Sequence, residues 1–447
     1  MVSVNVLEIL YSISVVLTVI LWGKKKNLLL LLVMAQWILL LTQVWVNGWR
    51  LPMVLLYLIT LFLTFRLTFN VSRTKKQTVA KRTLITVFLL FALALPGYLF
   101  PWFTVKEPTG PYQVGTKTFE VVDNSRVDQW AEGDEPRRIM VQLWYPTEDV
   151  KHSPKAKYHE HPSLFMEEFA ELNGIPGFLL QSFVKQKVPA YNHATLLNQE
   201  NPYPIIFFSH GFGSNRSQNH FQVLELASQG YIVVGIDHTY FSPGTVFSNG
   251  DRPGLADIEF TGDDDLLNDY LYEWSKDAQS VLNWVENVND GEIHDEVWLE
   301  QAKGQIDLSK VGYLGHSFGG ATASHTLAVD NRFHAGINMD GFPYGDAHEL
   351  GVKQPFLTLI GDDSLTADYI DDEDYLAEFY RRIESISGSD NVIPFKDALH
   401  LDFSDFPLLS PVTKWIGMTG NLSTKELHNT INNITLEFFN THLNVSN

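Results

Sequence analysis

The 447-residue chain contains no cysteine. That excludes a disulfide scaffold, thiolate zinc sites and a thiol nucleophile, and it leaves the redox compartment open, since an exported protein can do without disulfides. Positive charge is also scarce, with 32 Lys and Arg against 52 Asp and Glu. The imbalance is uneven. The first 105 residues hold ten Lys and Arg and one acid, Glu8, so the remainder carries 22 basic and 51 acidic residues, a formal charge near −29. Such a surface repels nucleic acid and gains nothing from anionic lipid by charge alone. Phosphate-binding glycine loops and dinucleotide fingerprints are missing as well. The dense acids Asp368, Asp371, Asp372, Glu373 and Asp374 lack the spacing and glycine of a calcium-binding loop and read as a solvated helix face, so no metal and no cofactor is expected.

What the acid-poor segment does contain is four apolar runs, roughly 4–22, 28–46, 51–69 and 83–103, each near the ~20 residues that span a bilayer core. The first run lacks a basic leader and is followed by Lys24, Lys25 and Lys26, the reverse of a secretory signal. Positive charge recurs from the end of the third run onward, at Arg66, Arg73, Lys75, Lys76, Lys81 and Arg82, whereas only Arg50 lies between the second and third. The positive-inside rule places both basic loops in the cytoplasm, and therefore the N-terminus and everything beyond Phe103 outside it. Tyr98, Phe100, Trp102 and Phe103 fit an outer aromatic belt. The expectation is a multi-pass membrane domain over 1–105, in the cell membrane, carrying an extracytoplasmic domain over 106–447. Ionisable residues are almost absent from the runs, which argues for anchoring rather than transport.

Beyond a Pro/Gly-containing linker at 106–111, strand and helix patterns alternate. Residues 115–122 and 138–145 alternate like antiparallel strands. An excursion at about 160–190 has Leu164, Phe165, Phe169, Leu172, Phe178, Leu179, Leu180 and Phe183 at helical spacing around Gly174-Ile175-Pro176-Gly177. It reads either as helices packed on the core or as a lid or lipid-facing patch. Continuous apolar runs at 204–209, 231–237, 335–339 and 356–360 mark strands covered on both faces. Helical patterns fall at 266–288 and 365–386, and a last strand near 391–395. This alternation predicts an α/β fold with a mainly parallel sheet and helices on both faces.

The chemistry centres on Lys310-Val-Gly-Tyr-Leu-Gly-His-Ser317-Phe-Gly-Gly-Ala-Thr322, an apolar strand that ends in a glycine-bearing turn and runs into a helix. A serine hydroxyl needs such a turn to stand clear of the backbone, where a base can reach it. Ser317 is the candidate nucleophile. One oxyanion donor is then the N–H of the next residue, Phe318, and the second should follow an earlier strand. Ser209-His210-Gly211-Phe212-Gly213 is the glycine-rich turn in that place, which nominates the Phe212 N–H. The base must be a histidine downstream of the serine. His325, His334, His348, His400, His428 and His442 qualify by order, and His400 follows the last strand, where a base belongs. For the acid, Asp362 and Asp363 compete with Asp340. The first two have a ready explanation as turn or cap residues before a helix, whereas Asp340 ends an apolar strand and precedes Gly341-Phe342-Pro343, where an unpaired carboxylate is costly. Asp340 is the choice.

Taken together, Gly315 to Thr322, Phe208-Ser-His-Gly-Phe-Gly213, Asn338-Met-Asp-Gly-Phe-Pro343 and His400-Leu-Asp-Phe-Ser-Asp-Phe406 resemble the platelet-activating factor acetylhydrolases of the plasma and intracellular type II group, across roughly 110–409. The resemblance implies an α/β-hydrolase fold, preceded here by about four transmembrane helices that the animal enzymes lack. It implies a serine esterase without metal or calcium that cleaves short or oxidised sn-2 acyl groups from phospholipids. It carries the nucleophile to Ser317, the acid to Asp340, the base to His400, and the oxyanion donors to the amides of Phe212 and Phe318. Broad carboxylesterases and cutinase-like polyester hydrolases share a similar elbow, and a catalytically silent binding or sensor domain is a further alternative. The expected partners are a lipid or small ester substrate and the membrane. Asn-x-Ser/Thr sites at Asn215, Asn421, Asn433 and Asn444 are glycan acceptors only in a eukaryotic secretory host.

Overall fold

The computed structural model describes residues 6–22, 25–48, 53–69, 104–148, 150–174, 177–180, 186–257, 264–362 and 373–443. They fall into two compact units. One takes the chain up to Thr104 with the short segments 176–186 and 409–412, and the other takes 105–175, 187–408 and 413–447.

The first unit contains helices α1 (Val6–Ile20), α2 (Lys26–Asn47) and α3 (Val54–Thr68). Among the described residues one helix is long and apolar enough to cross a membrane, α2 over Lys26–Val46, with mean hydropathy 2.1. The other two have 15 residues each. At ~1.5 Å per residue these helices fall short of a ~30 Å hydrocarbon core. The four-span expectation is thereby reduced, because apolar composition runs past the ends of the hydrogen-bonded helices. The whole of the fourth run and the basic residues from Arg73 to Arg82 before it lie outside the described residues. The interior of the unit is also more polar than the runs implied. Tyr11 Oη donates to the Leu56 carbonyl at 3.1 Å, Gln36 Nε2 to the Ser14 carbonyl at 3.1 Å, Tyr57 Oη to Gln43 Oε1 at 2.7 Å and Trp37 Nε1 to Thr64 Oγ1 at 2.9 Å. Glu8 is buried too. Such bonds between helices fix their register where apolar packing alone would let them slide.

The second unit is built on one ten-stranded sheet. Its strands are β1 (Gln113–Val127), β2 (Pro136–Thr147), β3 (Lys155–Lys157), β4 (Lys187–Asn192), β5 (Tyr203–Ser209), β6 (Ile232–Asp237), β7 (Ile306–His316), β8 (Ala335–Met339), β9 (Phe356–Gly361) and β10 (Val392–Phe395). They lie in the order β10-β9-β8-β7-β5-β6-β2-β1-β4-β3. From β10 to β6 every pairing is parallel, and β2 runs antiparallel to both β6 and β1. The larger helices are α4 (Pro162–Leu172), α5 (His220–Ser228), α6 (Asp264–Asp290), α7 (Phe318–Val329), α8 (Glu373–Ser387) and α9 (Thr424–His442). Each residue of β5, β6 and β8 is buried, so both faces of the central sheet are covered. Parallel strands need crossover helices, and crossovers put helices on the faces, which is why these strands read as unbroken apolar runs. Val141, Leu143, Ile205, Phe207, Val234, Val311 and Tyr313 form the core with Val281, Val285 and Val288 of α6. Each such side chain contributes roughly 1.5–3 kcal/mol on full burial.

This is the α/β-hydrolase-like, mostly parallel architecture expected from the sequence. The excursion differs from expectation in its second half: after α4 a short 3₁₀ turn (Gly177–Leu180) follows, and Val188 then lies in β4. The helically spaced apolar residues end at Phe183, and the strand beyond, Lys187 to Asn192, is half polar and carries no apolar run to announce it. Of the acidic cluster, Glu373 and Asp374 open α8, and its other members lie outside the described residues.

Candidate active site

β5, β7 and β8 are neighbours, so their carboxyl ends bring Ser209, His316 and Met339 to one edge of the sheet. Ser317 follows β7 directly with φ 55° and ψ −124°, the left-handed side of backbone space. An L-residue held there carries a strain of order 1–3 kcal/mol and persists only when its surroundings over-determine it. Here they do. The Ser317 N–H donates to the Met339 carbonyl at 2.8 Å, and its own carbonyl accepts from Gly320 at 2.9 Å to start α7. Close approach also requires the flanking glycines: a Cβ on Gly315 would fall on the Gly319 backbone, and one on Gly319 would fall on the Ser209 carbonyl.

Asp340, directly after β8, also has a positive φ, 59°. Asn338 pins the turn beyond it, donating from Nδ2 to the Gly341 carbonyl at 2.8 Å and accepting the Gly341 N–H at 2.9 Å. The Asp340 carboxylate has no exposed side-chain surface. One oxygen accepts the Gly361 N–H at 2.7 Å, and the other lies 2.7 Å from His400 Nδ1. His400 stands on a 3₁₀ turn (His400–Phe403) just after β10, with about a third of its side chain exposed (35%). The competing carboxylate of Asp362 instead accepts the backbone N–H of Asp397. Asp363 lies outside the described residues.

The remaining histidines in the right order are engaged elsewhere. His325 Nδ1 accepts the Asp346 N–H at 3.3 Å, His334 Nδ1 accepts the Val311 N–H at 3.4 Å, and His428 Nε2 donates to the Ser404 carbonyl at 3.1 Å. His348 lies 3.8 Å from Glu349, and His442 packs on Phe438 at the end of α9.

Phe318 is the first residue of α7, and an amide in that position has no acceptor within its own helix. The other nominated donor belongs to the turn after β5. A Cβ on Gly211 of that turn would lie 3.2 Å from Ser317 Cβ, so turn and elbow are in contact. The rings of Phe212 and Phe318 meet edge to face at 5.5 Å, backed by Phe241, Tyr270, Trp274 and Tyr344. α4 lies over this turn: a Cβ on Gly213 would lie 2.8 Å from the side chain of Leu172, which is 44% exposed. Glu168 of the same helix accepts the Gly244 N–H at 2.6 Å. Burial holds that carboxyl above its usual range.

Sequence reading missed the support beneath the site. Ser209 Oγ lies 2.9 Å from His238 Nε2, and His238 Nδ1 lies 3.1 Å from Asp277 Oδ2. Arg137 closes on Asp277 with two bonds, at 3.0 and 2.8 Å, and Arg126 adds a third at 2.8 Å. Burial alone would raise the Asp277 carboxyl, but the Arg137 guanidinium and the His238 bond outweigh it and hold it well below the carboxylate range. His210, one residue on, lies 2.7 Å from both Ser242 Oγ and the Gly211 carbonyl. Arg137, His238 and Asp277 are buried, and the Arg126–Asp277 bond joins residues 151 apart in sequence, so no local pattern announces the group. The Asn215 sequon is buried as well: its side chain holds the Pro243 carbonyl at 3.2 Å and the Ser217 N–H at 2.9 Å, which leaves no room for a glycan.

Residues 100–447 match the family model of platelet-activating factor acetylhydrolase, isoform II. The chain belongs to that family. Among curated relatives of these acetylhydrolases, the platelet-activating factor acetylhydrolase of Cavia porcellus is 27% identical over 360 residues, covering 76% of this chain and 78% of that one. A probable 1-alkyl-2-acetylglycerophosphocholine esterase of Arthroderma benhamiae is 28% identical over 284 residues, 60% of this chain and 68% of its own. A ferulic acid esterase from Streptomyces cinnamoneus shares the fold, with a TM-score of 0.57 and 24% identity over 77% of this chain and 94% of the other. As an acetylhydrolase-family member with this fold, the chain is a serine ester hydrolase.

Proposed function

We propose that the chain hydrolyses short or oxidised acyl esters of phospholipid-like substrates, with Ser317 as nucleophile, His400 as base, Asp340 as the acid that orients it, and the N–H groups of Phe212 and Phe318 as oxyanion donors. The observation that carries this reading is the 2.7 Å pair between a fully buried Asp340 and His400, set beside a serine in strained elbow geometry. Asp340 holds the His400 proton on Nδ1, which leaves Nε2 as the atom that accepts the Ser317 proton. Ser317 Oγ attacks the ester carbonyl, the oxyanion gathers against the two amides, and the leaving alcohol takes the proton back from His400. Water, deprotonated by the same histidine, then releases the acid and restores the serine.

The acyl preference rests on the relatives and on α4, whose Leu172 crowds the oxyanion turn. In the same reading the N-terminal helices anchor the enzyme in the cell membrane, with residues 106–447 outside the cytoplasm. A fluorophosphonate probe should label Ser317 and fail to label Ser317→Ala. An acyl series of p-nitrophenyl esters and sn-2 phospholipids should show the fastest turnover at two to four carbons. Equal or faster cleavage of long-chain triglyceride would overturn the substrate assignment.

A further inference from the structure

We propose that His316, the residue before the nucleophile, is a positioning residue that ties the oxyanion turn to the catalytic base through an unbroken hydrogen-bond chain. The inference rests on the roles proposed above for Phe212, Ser317 and His400. The chain begins at the Gly211 N–H, which donates to Gln218 Oε1 at 2.7 Å. Gln218 Nε2 lies 2.8 Å from His316 Nδ1, and His316 Nε2 lies 2.9 Å from the His400 carbonyl oxygen.

The direction of every bond in it is determined. Because the Gln218 oxygen faces an N–H, its nitrogen faces His316 and is the donor, so Nδ1 must be the acceptor. A carbonyl cannot donate, so Nε2 carries the ring proton and gives it to His400. Each ring nitrogen therefore has one role, and a neutral imidazole satisfies both. Burial, and His400 beside it with ring centroids 4.7 Å apart, hold the His316 pKa well below its ordinary 6.5 and keep the ring in that form. Protonation would place an N–H against the Gln218 amide hydrogens and break the chain.

Gln218 is fixed in turn. Its backbone carbonyl accepts the Asp405 N–H at 3.0 Å, and Asp405 lies in the same loop as His400. The strap thus spans the three segments that must agree in position: the turn carrying one oxyanion donor, the elbow, and the base. None of its members reaches a substrate atom through these bonds. Its effect is on alignment, where an error near 1 Å can lower turnover about a hundredfold.

The test uses the full chain in detergent and p-nitrophenyl butyrate, with fluorophosphonate labelling of the wild type as the separate check on Ser317. His316→Leu and Gln218→Leu should each lower kcat about ten- to a hundredfold with KM changed less than about threefold. His316→Gln keeps an N–H able to reach the His400 carbonyl and should recover about tenfold of the loss. The Gln218→Leu/His316→Leu double variant should be no worse than the poorer single one, because both break the same chain. Should His316→Leu fail to fold, Gln218→Leu and His316→Gln still decide the matter. Fully additive losses, His316→Gln no better than His316→Leu, or kcat within twofold of wild type in the single variants would overturn the strap. If the wild type itself does not label at Ser317, the proposed function fails instead.

Discussion

Asp340 and Asp362 are both aspartates at strand ends, yet one faces an imidazole and the other a backbone amide. Asp340→Asn should therefore lower kcat by about 10⁴, as neutralising a triad acid does by permitting the wrong histidine tautomer. Asp362→Asn, which keeps an acceptor for the Asp397 N–H, should stay within about threefold of wild type in the same assay. The opposite ranking would move the acid. Asp277 shows what a buried charge does without touching the chemistry. Asp277→Asn leaves Arg137 buried against a weaker partner, and it should destabilise the second unit by about 3–5 kcal/mol in denaturant unfolding. At this scale the turn at Ser317 and the meeting of Asp340 with His400 were legible, because elbow spacing and position after a strand constrain them. Gln218 and His316 were not, since a hydrogen bond between residues 98 apart leaves no local trace.

Among the elements, the loop after β10 owes its shape to two buried aspartates. Asp402 accepts the Leu399 N–H at 2.9 Å, across the turn that presents His400. Asp405 accepts the N–H groups of His220 and Phe221 at 2.9 and 3.1 Å, and so caps the first turn of α5. A carboxylate there also meets the positive end of the helix dipole. Asp405→Ala removes both effects and should lower stability by about 1–2 kcal/mol while reducing kcat, because the same residue positions the base loop. A variant that loses stability with kcat unchanged would separate the cap from the site. Strands buried on both faces were readable almost to the residue, as Ala335–Met339 shows. Short polar strands were not: β3 is three residues long, and its pairing with β4 rather than any sequence pattern makes it a strand.

For the whole molecule the buried histidines set an acid limit. Burial lowers the pKa of His159, His210 and His316 well below 6.5 in the folded chain. Between that value and their folded pKa the unfolded state binds more protons, so stability rises with pH and is lost as pH falls below about 6.5. The melting temperature should drop steadily from pH 7 to pH 5. His159→Gln should flatten the slope by up to one proton, about 1.4 kcal/mol per pH unit, and an unchanged slope would remove His159 from the set. The proposed anchorage has its own check: a reporter fused after Asn447 should lie outside the cytoplasm, and its protection within closed cells would reverse the topology. The sequence exposed the basic loops that motivate this orientation, but apolar composition could not show where each helix stops.

The last helix has a consequence of a different kind. α9 packs against α5 through Gln222 and Thr435 at 2.9 Å and Asn432 with the Phe221 carbonyl at 3.0 Å. Its Phe439 lies against Gly312 of β7, the strand that runs into Ser317, close enough that a Cβ there would collide at 2.7 Å. Ser317, Asp340 and His400 therefore all precede in sequence the helix that packs on β7. The strand leading into Ser317 is thus packed in part by a helix far downstream of the elbow itself, so loosening α9 should disturb the elbow although none of its residues lies in that turn.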